Sequence, residues 1–441
     1  MYKNLKTPLN AQVELTTACT HACGHCYNYW RNHGDSSHSP KATHIPINTT
    51  RSIIKSLAEA ELFEVTFTGG EPLLNVESLK AGLIECQNTG LRVSLNSNLF
   101  LASRSIIQEL KKLGLRHILT TILAPTAELH DQLAGRNGAF AAVTENIRVA
   151  REEGIRITSN MVVSRRNLEY IIPTAEIAAS LGVNCFAATK AGHPGGCVDF
   201  KEVALDRRGL ETALQALSKA KQLYNLQIDV MEPVPTCSLA DLPVEPEYVR
   251  RKCAAGVTTL TISVDGEVRP CSHLEVKCGN MLTESIQNIW QQMVSWRNGN
   301  LLPDTCRFCK LLRVCGGGCR MEAKMQNHKF EALDPYSQPE HVSTAAKKVI
   351  SIKRQERKAF PVFSFFQIAP DLKSRTESFG ATLFSPRASY LFLSHAGLAV
   401  LNQFKQGIRY EFADSKINWG SIDPPNFLKK LALANVLDVF N

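Results

Sequence analysis

The stretch ELTTACTHACGHCYNYWR, residues 14–31, places Cys19, Cys23 and Cys26 at CxxxCxxC spacing directly behind the run AQVELTT. That run reads as a strand, so the cysteines fall on the loop that leaves it. Three thiols are one fewer than iron–sulfur clusters and structural zinc sites usually take from a protein. Two readings of the loop stand side by side. In the first, a cluster of four irons keeps one iron open for a further ligand, as catalytic rather than structural metal sites do. In the second, a zinc ion borrows its fourth ligand from His21 or His25.

Outward from the loop, residues 11–225 alternate apolar strands with amphipathic helices. Strands are expected at 11–16, 64–68, 92–97, 117–123, 156–163 and 184–189. A helix such as SRSIIQELKKLG carries Ile106, Ile107, Leu110 and Leu113 on one face and ends at Gly114. Strand–helix alternation implies a parallel sheet with crossover helices. About six such units predict an α/β fold, a partial (β/α)6 barrel over residues 1–225, with its chemistry at the C-terminal strand ends. Four prolines between Pro233 and Pro246 mark 226–252 as a bridge. A cysteine-rich region, 253–340, follows. Residues 341–441 form a basic helix and a small α+β unit, with strands around ATLFSP and SYLFLS and helices over GLAVLNQFKQG and NFLKKLALA.

The 441 residues suffice for more than one domain. No apolar run reaches the ~18 residues of a spanning helix, and MYKNLKTPLN lacks a signal-peptide core. The expected location is cytoplasmic, with no membrane partner. In that reducing compartment 14 cysteines do not make a disulfide framework. Nine of them sit at tight spacings and point to metal, whereas Cys86, Cys185 and Cys197 stand alone and read as small core hydrophobes. From His341 onward 14 Lys and Arg face 7 Asp and Glu, so most of the net charge of +9 lies in the last quarter. Any one of these residues reads as part of a solvated face. As a block they suit an acidic partner such as a peptide or nucleic acid.

A second landmark, EVTFTGGEPLL, ends the second strand with Gly69, Gly70, Glu71 and Pro72. Paired glycines admit a close ligand approach to the backbone. Together with CxxxCxxC one strand earlier, this closely resembles the radical S-adenosylmethionine (SAM) superfamily. The resemblance implies a 4Fe-4S cluster held by Cys19, Cys23 and Cys26, with SAM on the open iron and its amino group on the Gly69–Gly70–Glu71 backbone. Cleavage of SAM by one electron would give a 5′-deoxyadenosyl radical that takes hydrogen from the substrate. Ser97, Asn98, Thr121 and Asn160 stand where relatives place further cofactor contacts. Leu123 and Ala124 depart from the Asp-Gly of many relatives.

Twelve residues separate Cys253 from Gly266 and four more precede Cys271, after which CRFCKLLRVCGGGC gives Cys306, Cys309, Cys315 and Cys319. Zinc ribbons also use C-x2-C pairs. Behind a radical SAM core, the combined spacing resembles the SPASM extension, which binds two auxiliary iron–sulfur clusters. The resemblance gives Cys253, Cys271 and Cys319 to the first and Cys306, Cys309 and Cys315 to the second. Relatives add a last cysteine where this chain reads Asp334-Pro335-Tyr336-Ser337. The second cluster is therefore expected to be incompletely ligated, or completed by oxygen from Ser337 or Asp334, or by Cys237 or Cys278 folding back. The latter two are also candidates for the first cluster.

SPASM relatives chiefly modify ribosomally made peptides. Sulfatase-maturing relatives carry an aspartate base after the cysteine matched by Cys271. Ser272 and His273 stand there instead, which counts against formylglycine formation. The last unit is similar to the peptide-chaperone domain of pyrroloquinoline quinone biosynthesis, a leader-recognition element. The expectation is a peptide-maturing oxidoreductase that abstracts a side-chain hydrogen and forms an intramolecular cross-link. Its partners would be a precursor peptide with a leader and an electron donor such as flavodoxin or ferredoxin, with no nucleic acid. Epimerisation, thioether formation and sulfatase-type maturation are alternatives within the class; a zinc-ribbon scaffold binding peptide or RNA is the alternative outside it. No side chain is singled out as a catalytic acid or base.

Overall fold

A computed structural model describes residues 3–28, 42–192, 200–242, 245–358, 365–385, 390–404, 408–411 and 417–440. Cys197 and Tyr29–Arg31 lie outside the described residues. The chain divides into two units: residues 7–352 form one, and residues 353–441 with Lys3–Lys6 form the other.

Seven strands of the first unit lie side by side in chain order, all parallel: β1 (Asn10–Glu14), β2 (Glu64–Thr68), β3 (Arg92–Asn96), β4 (His117–Thr121), β5 (Arg156–Val163), β6 (Cys185–Lys190) and β7 (Ile228–Asp229). This is the expected partial barrel, with β7 added from the proline-rich bridge. The cysteine-rich region continues the sheet. β8 (Thr259–Ile262) pairs parallel with β1, and β9 (Val268–Arg269) turns back antiparallel on β8. Helices cross between the strands. Arg104–Lys112 is capped by Ser103, whose side chain accepts from the Ile106 N–H at 3.3 Å, and it buries Ile107 and Leu110.

Strand alternation decides which side chains reach the barrel interior. Val65 and Phe67 of β2 are fully buried on the helix side. Gly82, on helix Val76–Thr89, leaves room for the Phe67 ring, which a Cβ there would meet at 2.4 Å. The alternate residues Thr66 and Thr68 face inward with Gln12, Ser94, Leu119, Thr121 and Asn160. Most of these inward side chains are polar, which suits a ligand chamber better than a packed core. Glu14 and Arg269 tie the ends of β1 and β9 in a fully buried ion pair.

The second unit holds two antiparallel three-stranded sheets. β10 (Phe365–Ile368) lies between β14 (Arg409–Glu411) and β15 (Leu437–Phe440), and β12 (Gly380–Phe384) lies between β11 (Lys373–Glu377) and β13 (Tyr390–Ser394). Helices His395–Leu401 and Pro424–Leu433 pack Val400, Leu428 and Leu431 with Phe366, Leu383 and Leu393 into one core. Inside it, Glu377 accepts from Arg375 at 2.7 Å, Thr382 at 3.1 Å and the Lys6 backbone N–H at 3.0 Å. That last bond fastens the N-terminal segment to this unit.

Candidate active site

Cys19, Cys23 and Cys26 line the mouth of a cavity of about 500 Å³ that continues into the barrel interior. Their loop is held from two sides. The Ala22 N–H donates to the Ala134 carbonyl at 2.9 Å, and Gly135 (φ 60°) follows there because a Cβ would lie 2.6 Å from the Ala22 oxygen. From β3, the Asn98 side-chain amide donates to Thr20 Oγ at 3.0 Å and lies 3.8 Å from Cys19 Sγ. Leu123 and Ala124 are buried in an apolar cluster against which Cys23 packs. The expected departure from Asp-Gly therefore serves here as a floor beneath the cysteine loop.

The paired glycines are fixed by sterics. Gly69 takes φ 132°, and a Cβ on Gly70 would sit 2.0 Å from the Ala18 carbonyl oxygen. The Gly70 and Glu71 N–H groups donate to Thr16 and Ala18 oxygens, each at 2.7 Å, so this turn and the cysteine loop are stitched together. Gly69 and Gly70 line the cavity, as do Ser97, Asn98, Thr121 and Asn160. Glu71 stands behind the wall. Its buried carboxylate accepts from the Leu73 N–H at 3.0 Å, Ser97 Oγ at 2.8 Å and the Asn98 N–H at 2.8 Å. Burial raises its pKa and these three donors oppose the shift. Its side chain locks the ends of β2 and β3 in relation to each other.

The far rim comes from segments that sequence reasoning did not connect. Lys190, at the end of β6, donates to Glu232 at 2.8 Å and to Glu322 at 2.6 Å. His273 Nδ1 lies 3.4 Å from Glu232, and its ring stacks on Tyr27 with centroids 4.3 Å apart. Lys190, Gly192, Glu232, Ser272 and His273 all line the same cavity as the cysteine triplet. Burial alone would lower Lys190; the two carboxylates outweigh it and hold the ammonium well above its ordinary pKa. Burial likewise pushes Glu232 up, but Lys190 and His273 carry it below the ordinary value. The only local signal was Ser272–His273 directly after Cys271. Arg269 positions that turn by donating to the carbonyls of Ser272 at 3.1 Å and Leu274 at 3.3 Å.

Seven further cysteines fall into two groups. Burial raises the thiols of Cys253, Cys271 and Cys319, and the Cys253 thiolate opposes ionisation of the other two, while the Arg320 and Ala255 N–H groups favour the charged form of Cys253. Cys306, Cys309 and Cys315 line a separate, mainly apolar cavity together with Cys237 and Ser337. Asp334 is engaged elsewhere, accepting from the Cys319 N–H at 2.7 Å and the Tyr336 N–H at 2.9 Å. Cys278 sits in the turn after β9, its N–H on the Val268 carbonyl, and lines neither cavity.

These donor sets fit iron–sulfur chemistry. They are clustered thiols, several with backbone N–H groups aimed at sulfur, and the first set is backed by a glycine turn that side chains would fill. Among known families, residues 13–178 match the radical SAM superfamily and residues 253–310 match SPASM, the iron–sulfur cluster-binding domain. The chain is a radical SAM enzyme with a SPASM domain, and its cofactors are a 4Fe-4S cluster, SAM and auxiliary iron–sulfur clusters. It is similar to the PqqA peptide cyclase of Ruegeria pomeroyi, 26% identical over 357 residues (77% of this chain and 90% of that protein). It is similar also to the AdoMet-dependent heme synthase of Oleidesulfovibrio alaskensis, 23% identical over 342 residues (73% and 85%). Among solved structures, SAM-bound SuiB of Streptococcus suis superposes with a TM-score of 0.61 at 18% identity, over 76% of this chain and 78% of that one. No helix among the described residues is long and apolar enough to cross a membrane.

Proposed function

We propose that this enzyme modifies a ribosomally made precursor peptide, abstracting a side-chain hydrogen and closing an intramolecular cross-link. One observation carries the reading. A single cavity runs from the cysteine triplet and the glycine turn to the Lys190–Glu232–His273 rim, so a cofactor and a substrate side chain share one chamber. Its volume suits small-molecule-sized groups. The names of relatives agree: a PqqA peptide cyclase, and SuiB, solved with its precursor peptide SuiA.

Cys19, Cys23 and Cys26 would hold the cluster, and Gly69 and Gly70 would let SAM approach the backbone, with Ser97, Asn98, Thr121 and Asn160 around it. When bound, cluster and SAM supply a carbon radical able to take hydrogen from an unactivated position. The protein's own part is placement. Glu71 and Asn98 fix the cofactor end of the chamber, and Leu119, Leu123 and Val162 add an apolar stretch to its wall. The buried Lys190–Glu232–Glu322 network sets a charged rim against which a peptide's backbone or polar groups can orient. The second unit would bind the leader. Among the described residues, β13 pairs only with β12, and an open edge of this kind accepts an added strand. The basic excess of residues 341–441 suits acidic leader residues. A flavodoxin or ferredoxin would deliver the electron.

The test is anaerobic incubation of reduced enzyme with SAM and a short peptide taken from a reading frame beside its gene. The expected result is 5′-deoxyadenosine, which carries off one hydrogen, together with a peptide lighter by two hydrogens and linked within one chain; the second hydrogen would leave as a proton, its electron passing to an auxiliary cluster. Because heme synthases are about equally similar relatives, a tetrapyrrole is the competing substrate class. Turnover of a tetrapyrrole with an unchanged peptide would overturn the proposal.

A further inference from the structure

We infer that Cys237, in the bridge ahead of the SPASM domain, supplies the fourth thiolate of the second auxiliary cluster, in place of Ser337. The inference rests on the second auxiliary cluster that the SPASM match implies, and it concerns only this chain's ligands to it.

Four thiols face one cavity. Cys237 joins Cys306, Cys309 and Cys315 there, walled by Leu311, Leu312, Leu333 and Val342. Cys237 stands on the short helix Thr236–Leu239, far from the others in sequence. The backbone around it is organised about sulfur. Thr236 donates its N–H to Cys315 Sγ at 3.4 Å, and Gln338 donates its N–H to Cys237 Sγ at 3.2 Å. Leu311 donates to Cys309 Sγ at 3.4 Å. N–H groups aimed at sulfur are the hydrogen bonds that tune iron–sulfur sites.

The bond from Gln338 is the telling one. It brings the Cys237 sulfur next to the residue that follows Ser337, so the bridge delivers a thiol to the place where relatives supply one from the later segment. The alternatives are poorer. Ser337 offers a hydroxyl, a hard donor that iron–sulfur clusters prefer less than thiolate. Asp334 spends its carboxylate on two backbone N–H groups, and Cys278 stands elsewhere. Of the completions open to the second cluster, this assignment selects Cys237 and gives it four thiolates.

The experiment uses full-length protein carrying Cys19→Ala, Cys23→Ala and Cys26→Ala, which isolates the auxiliary clusters from the SAM site. Each variant is reconstituted anaerobically, and iron, acid-labile sulfide and Mössbauer and EPR spectra are recorded. Cys237→Ala should lose about half of the remaining iron and one of two cluster signals, with Ser337→Ala unchanged. Adding Ser337→Cys to Cys237→Ala should restore both. Full iron and an unaltered spectrum in Cys237→Ala, or loss of the cluster in Ser337→Ala, would overturn the assignment. If Cys237→Ala proves unfolded by circular dichroism, the added Ser337→Cys decides. Recovery of fold and cluster together supports the ligand role, and failure to recover rejects it.

Discussion

Glu71 shows how much one buried carboxylate can organise. Three donors converge on it from the glycine turn and from the end of β3, and an amide in its place would turn an N–H₂ toward donors. Glu71→Gln should therefore lower stability by about 1–3 kcal/mol, read as a lower thermal midpoint, and slow SAM cleavage by loosening both walls of the cofactor site. An unchanged midpoint would show that the clamp carries no load. At this scale the sequence was readable where chemistry is local. Cys19, Cys23 and Cys26 lie within one loop, and Gly69–Glu71 within one turn, so spacing alone exposed them. Lys190, Glu232 and Glu322 were not readable, and His273 only through its place beside Cys271. Each comes from a different segment, and single charged residues in separate segments look like solvated surface until folding buries them together.

Between elements, the Glu14–Arg269 pair joins the first barrel strand to the hairpin that carries the Cys271 turn. Removing one partner of a fully buried ion pair typically costs about 3–5 kcal/mol, so Arg269→Met should lower the thermal midpoint sharply, and Glu14→Gln in the same chain should recover part of the loss. The pair also has a pH signature. Burial raises Glu14 to about 7 despite Arg269, so the folded state binds a proton there that the unfolded chain has released. Stability from this group is present below the ordinary carboxylate pKa of 4.5 and is lost as pH rises through about 7. Glu14→Gln should flatten that part of the stability–pH curve between these limits, and an identical slope in the variant would contradict the assignment. The barrel strands were legible because alternation and β-branching mark them. In the second unit, β11 was not. Its inward positions are Arg375 and Glu377, a buried ion pair where the period-2 rule expects apolar side chains. β14, only three residues long, falls below what a pattern can show.

At the scale of the molecule, catalysis and leader recognition should be separable, because residues 353–441 have a core of their own. Deleting them after Ile352 should leave reductant-driven SAM cleavage within about twofold and reduce modification of full-length precursor at least tenfold. A truncated enzyme that processes precursor at the native rate would assign that unit another purpose. The order of the parts could be read directly, since strand–helix alternation, a proline-rich break and a cysteine array succeed one another along the chain. What composition could not reveal is that the bridge is structural. It gives β7 to the sheet and brings Cys237 to the cavity lined by Cys306, Cys309 and Cys315, contacts that exist only once distant segments meet.

The role expected of the Cys19, Cys23 and Cys26 loop, radical chemistry on SAM, is read out by quantifying 5′-deoxyadenosine from the reduced wild type and from the variant with all three cysteines changed to Ala. Circular dichroism and auxiliary-cluster EPR serve as controls of folding. The loop lines an open cavity rather than filling a core, so the variant should keep its fold and its auxiliary signals and form no 5′-deoxyadenosine above the enzyme-free background. Undiminished SAM cleavage by a folded triple variant would contradict the account.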